Sequence, residues 1–109
     1  MVVAVDFDNT LIKSIKYPSM KYILIENAED VIRRLNRRGI VFVLNTARSG
    51  WYRLPAIFFI KKRKLPIKCN LFNKKPKAKI YIDDSNIFCQ EINWLKIEKE
   101  IMKIIKEET

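Results

Sequence analysis

At 109 residues, with 49% hydrophobic and 31% charged side chains, the chain is sized for one domain and mixed as globular proteins are. Its 22 basic and 12 acidic residues leave a net charge of +10, which favours polyanions: nucleic acid, anionic membrane surfaces or phosphorylated substrates. Histidine is absent, which excludes histidine triads, histidine general bases and histidine metal sites together.

The first residues are apolar and carry no basic flank, so they do not read as a secretory leader. No apolar run approaches the ~20 residues that span a bilayer. A cytoplasmic protein without a membrane segment is the expectation. Cys69 and Cys89 make no disulfide framework and lack metal-site spacing. Their apolar neighbours suit buried free thiols.

Val2 to Val5 is a β-branched run that suits a strand buried on both faces. It ends on Asp6-Phe7-Asp8-Asn9-Thr10, two carboxylates one residue apart followed by turn formers. The same residues suit a plain Asx-type turn. Residues 13 to 25 lack a clean period and contain Pro18, so a loop or small flap is expected after the acidic turn. From Asn27, a candidate N-cap, Ala28, Val31, Ile32 and Leu35 recur at helical spacing. Glu29 and Asp30 suit that helix's positive end, Arg33 to Arg38 suit its negative end, and Gly39 stops it.

Ile40 to Leu44 is the second strand and ends on the polar turn Asn45-Thr46-Ala47-Arg48. A helix is expected from about Tyr52 to Arg63, starting nearer Leu54 if Pro55 is to lie in its first turn. Ile67 to Phe72 is a weak third strand, and Lys79 to Ile82 a fourth that ends on Asp83-Asp84. The last helix begins near Asn93 or Trp94, with Trp94, Ile97, Ile101, Ile104 and Ile105 on one face. This order predicts a single α/β domain over residues 1–109: a three-layer, Rossmann-like, mainly parallel sheet with helices on both faces. Right-handed crossovers then gather the carboxyl ends of the strands, with their polar clusters, along one edge.

Asp6, Asp8, Asp83 and Asp84 at that edge are hard oxygen ligands suited to Mg²⁺. A hydroxyl from Thr46 and an ammonium from Lys75 or a neighbour would hold an anion beside the metal. Metal, ammonium and hydroxyl around a carboxylate nucleophile are what phosphoryl transfer needs. Thr46 also suits the capping of the following helix. Arg48, and less so Arg53, lies where it would touch a leaving group. The run Lys61-Lys62-Arg63-Lys64 ends a helix at the opposite edge, so it is read as complementing the helix dipole.

These motifs, in this order, resemble the haloacid dehalogenase (HAD) superfamily of phosphohydrolases, in a small member without a cap domain. Asp6-Phe7-Asp8-Asn9-Thr10 matches the first motif, Leu44-Asn45-Thr46-Ala47-Arg48 the second, Lys75-Pro76 the lysine motif and Tyr81-Ile82-Asp83-Asp84 the acidic motif. The resemblance implies a Mg²⁺-dependent phosphatase cleaving a phosphate monoester. Asp6 would be the nucleophile forming an aspartyl-phosphate, and Asp8 the general acid and then base. Asp6, the Asp8 carbonyl, Asp83 and Asp84 would hold Mg²⁺, the last directly or through water. Thr46 and Lys75 would hold the phosphoryl group. Asn9, Thr10, Asn45 and Arg48 are the further candidates for substrate contact, with Thr10 also supporting the turn. Asn9 departs from the family's usual glycine, though Asn tolerates left-handed backbone. Lys74 and Lys77 are fallbacks for Lys75. An open site admits phosphorylated small molecules and macromolecular ends alike. The alternatives are a phosphatase of nucleotide or nucleic-acid ends and a silent nucleic-acid-binding module of the same fold.

Overall fold

The computed structural model describes residues 1–14, 22–48, 50–70, 76–83 and 92–108. Four parallel strands form the main sheet: β1 (Val2–Val5), β4 (Val41–Leu44), β5 (Ile67–Lys68) and β6 (Ile80–Ile82), in the order β5-β4-β1-β6. Its helices are α1 (Ala28–Arg37), α2 (Arg53–Lys62) and α3 (Trp94–Glu108), and a 3₁₀ turn at Gly50–Tyr52 leads into α2. The expected α/β Rossmann-like fold with a mainly parallel sheet is the one observed. Among the described residues, no helix is long and apolar enough to cross a membrane.

The expected flap contains a two-stranded antiparallel hairpin, β2 (Ile12–Ser14) with β3 (Tyr22–Leu24). Residues 15–21 between them lie outside the described residues. Of the expected third sheet strand, Ile67–Lys68 pairs and residues 69–70 do not, while residues 71–72 lie outside the described residues.

Strand register explains which face is buried. Val3, Phe42 and Ile67 align across three strands, as do Val5, Leu44 and Ile82, and these six are all buried. The intervening layer carries Ala4, Val43, Lys68 and Tyr81, of which Lys68 and Tyr81 are exposed. On α1, Ala28, Val31, Ile32 and Leu35 are wholly buried, as their spacing predicts. Neighbouring segments are fastened to this helix through its exposed side. Arg33 donates to the carbonyls of Arg63 and Lys64, and Arg34 forks onto Glu98 of α3 at 2.8 and 2.9 Å.

Asn27 takes the N-cap position, but in a left-handed conformation (φ 68°) and without a side-chain cap bond. Its backbone carbonyl still accepts from Val31. Gly39, at φ 95°, makes the expected left-handed stop after α1. Pro55 falls in the first turn of α2, where its missing N–H costs nothing.

Candidate functional site

The carboxyl edge of the sheet begins with the turn after β1. Leu11 and Ile12 both donate to the Phe7 carbonyl (3.0 and 3.1 Å), and Asn9 donates to the Ile12 carbonyl (2.9 Å). Closing this tight loop requires a left-handed residue, and Asn9 supplies it at φ 61°. The departure from glycine is thus accommodated as expected. The side chains of Phe7 and Leu11 are wholly buried and anchor the loop from below.

Asp6 follows directly on β1, where its amide donates to the Ile82 carbonyl at 2.9 Å. Its Oδ1 accepts the Phe7 amide at 2.8 Å, which fixes the carboxylate against its own turn. Val5 pairs in register with Ile82, so Asp6 and Asp83 sit side by side one position further on, at the ends of adjacent strands. On the other flank Asn45 donates to the Val5 carbonyl (2.9 Å), which brings Thr46 to the same edge. The Thr46 hydroxyl accepts the Arg48 amide at 3.2 Å, a local turn rather than a helix cap.

Arg48 joins these parts. Its Nε and one terminal nitrogen fork onto both oxygens of Asp8, each at 2.7 Å. Its other terminal nitrogen donates to the Tyr22 hydroxyl (2.9 Å) and the Tyr52 carbonyl (3.2 Å). The guanidinium also lies 5.0 Å from the centre of the Phe7 ring and 5.1 Å from that of Tyr22. Its bonds to Asp8, and secondarily to Tyr22, hold Arg48 well above its already high titration range. Phe7, Tyr22 and Phe59 meet edge to face at 5.3 to 5.9 Å, which docks the hairpin against α2 beside the site.

Two expected contacts lie elsewhere. Thr10 is wholly buried rather than facing a substrate: Trp94 of α3 donates its indole N–H to the Thr10 carbonyl at 2.9 Å, and the Thr10 hydroxyl has no partner among the described residues. Arg53 is 3% exposed, donating to the Asn70 carbonyl at 2.6 Å and the Arg48 carbonyl at 3.4 Å, so it braces two loops instead of meeting a leaving group. Lys74, Lys75, Asp84 and Cys89 lie outside the described residues. Pro76, next to Lys75, is held by the Tyr81 hydroxyl, which donates to its carbonyl at 2.7 Å. Lys77 is exposed. Cys69 is half-buried, and that burial pushes its thiol up.

Among the described residues no three carboxylates or thiols gather to hold a metal. Asp6 and Asp83 each follow directly on adjacent, in-register strands, a pair of carboxylate residues at neighbouring strand ends, while Asp8 presents both oxygens to Arg48. Such a pair fits Mg²⁺, which commonly takes one or two carboxylates and keeps several waters. Tyr22 and the Tyr52 carbonyl belong to this site although no motif marks them. Their role is visible only once the hairpin and the 3₁₀ turn are folded against Arg48.

No family model matches the chain, and no curated protein does. A solved structure of a conserved protein from Bacteroides thetaiotaomicron is similar, with a TM-score of 0.74 and 26% identity over 94% of this chain and 90% of that one.

Proposed function

We propose that the protein is a HAD-like, Mg²⁺-dependent phosphohydrolase that cleaves a phosphate monoester through an aspartyl-phosphate on Asp6. The observation that carries this reading is the in-register end of β1 and β6, which sets Asp6 beside Asp83, with Thr46 two residues past the end of the adjoining strand β4. An Asp6 oxygen attacks phosphorus while the bond to the leaving oxygen breaks, and Asp8 gives that oxygen a proton. A water molecule then attacks the phosphoryl group, Asp8 takes its proton, and phosphate and Asp6 are released. Asp6, the Asp8 carbonyl, Asp83 and Asp84 would hold Mg²⁺, which would supply charge stabilisation worth several kcal/mol. Thr46 and Lys75 hold the phosphoryl oxygens.

Asp8 accepts two N–H groups from Arg48. Donating a proton requires it to give up one of them, and an incoming phosphate is the natural competing acceptor for the guanidinium. Arg48 therefore links the arrival of an anion to the release of Asp8.

A screen of phosphate esters with Mg²⁺ tests the reading. Phosphate release from a generic aryl phosphate should be absent in Asp6→Asn and reduced about 10²- to 10⁴-fold in Asp8→Asn. Turnover that survives Asp6→Asn, or no turnover of any ester, sinks it. Basic charge and an open edge favour nucleotide or nucleic-acid ends as substrates. The acidic set argues against a purely silent binding module.

A further inference from the structure

Two tryptophans have opposite fates. Trp94 is wholly buried, but Trp51 is 85% exposed, and Tyr52 (78%) and Phe58 (69%) are out in solvent with it. Large aromatics left this bare are unusual on a monomer and mark a surface that receives something. They share one region. Trp51 and Tyr52 project from the 3₁₀ turn at the carboxyl edge, and Phe58 with exposed Pro55 lies on the side of α2 opposite buried Ala56, Ile57 and Ile60. The strip runs about 15 Å along the helix and ends at exposed Lys61 and Lys62. From Val31 to Ile82 the chain has no aspartate or glutamate, so every formal charge that the 3₁₀ turn and α2 themselves carry is positive; Asp8, paired with Arg48, adjoins only the Tyr52 end.

We infer that this face of α2 binds single-stranded nucleic acid, bases stacking on Trp51, Tyr52 and Phe58 and phosphates meeting Lys61 and Lys62. Exposed π-faces along a basic track are what such strands need, since every base offers a face to stack and every link a charge. An apolar protein partner would leave the exposed Lys61 and Lys62 at the end of the strip without a counter-charge. The lysines still complement the end of α2, and the aromatic strip gives them a second use. At its other end the track reaches the Tyr52 carbonyl, itself bonded to Arg48, so a bound strand lies beside the site. Binding does not rest on the phosphatase reading; only delivery of a phosphorylated end does.

The test is fluorescence anisotropy of a labelled mixed-sequence DNA strand of about 12 nucleotides, titrated with the full chain over a range of salt. Binding should weaken about fivefold to over a hundredfold in Trp51→Ala. Lys61→Gln/Lys62→Gln should lower the slope of log K against log salt by about 0.7 per lysine. The strand should quench Trp51 emission, read in a Trp94→Phe background that retains the native circular dichroism. Unfolding and release of phosphate from a small aryl ester should be unchanged in Trp51→Ala, and strand binding unchanged in Asp6→Asn, which separates failure of this inference from failure of the phosphatase reading. No binding, or binding indifferent to Trp51→Ala and Phe58→Ala, overturns the inference. So does a dimer in sedimentation that dissociates on the same substitutions, because the strip would then be a self-interface.

Discussion

Replacing Arg48 with methionine isolates the contact that holds the candidate site together. The substitution keeps most of the stem but removes the fork on Asp8, the donors to Tyr22 and Tyr52, and the cation above two rings. A buried charge-assisted bond is worth about 1.5–3 kcal/mol. The Asp8 side chain is 35% exposed, however, and recovers water when Arg48 goes, so the pair counts for about 1 kcal/mol. The lost cation–π contacts and two unfilled acceptors bring the cost to about 2–3 kcal/mol, or roughly 10 °C in Tm for a chain of this size. Urea unfolding of wild type, Arg48→Met, Asp8→Asn and the double variant measures the coupling directly. It should be about 1 kcal/mol, and Arg48→Lys should recover less than half of the loss, because an ammonium cannot fork onto a carboxylate. A coupling within about 0.3 kcal/mol of zero would refute the reasoning.

Thr10→Val should leave stability unchanged or raise it by up to about 1 kcal/mol in urea unfolding, since the buried hydroxyl has no partner to lose among the described residues; a destabilisation above about 1 kcal/mol would reveal one. Trp94→Phe should cost about 2–4 kcal/mol, because it orphans the Thr10 carbonyl and opens a gap in a wholly buried position; a cost below about 1 kcal/mol in the same measurement would remove α3 as the support of the loop. The Arg34 fork lowers the Glu98 carboxyl on folding, so its stabilisation is present above the unfolded value and disappears as pH falls through the folded one. The stability gap between wild type and Glu98→Gln should therefore close on acidification below about pH 4.3. A gap that widened there, in thermal unfolding followed by circular dichroism, would contradict the assignment.

What could be read from residue order was what depends on local pattern. Strand β1 is contiguous and apolar, α1 has an unambiguous period, and Asn9 and Gly39 stand where left-handed backbone is required. The shared edge also followed, since parallel strands put their carboxyl ends together. Arg48 and Asp8 are 40 positions apart, and nothing local in either segment announces the bond between them. Tyr22 belonged to a stretch whose period Pro18 obscured, so neither the hairpin nor its aromatic docking onto Phe59 was legible. Arg53 and Thr10 misled for the opposite reason. Polar residues near a site suggest surface, but Arg53 is buried because loop carbonyls satisfy it, and Thr10 because its loop folds inward over the core.

The indole bond from Trp94 to the Thr10 carbonyl spans 84 positions of chain. During synthesis at about 5–20 residues per second, the loop bearing Asp6 and Asp8 waits roughly 4 to 17 s for the helix that braces it. Until then it has strand pairing on one side and no indole beneath it. The nascent chain thus acquires its acidic loop early but the indole brace beneath it late. Chains arrested before Trp94 should expose the 7–12 loop to limited proteolysis, and those released beyond α3 should protect it; equal protection in both would break the link.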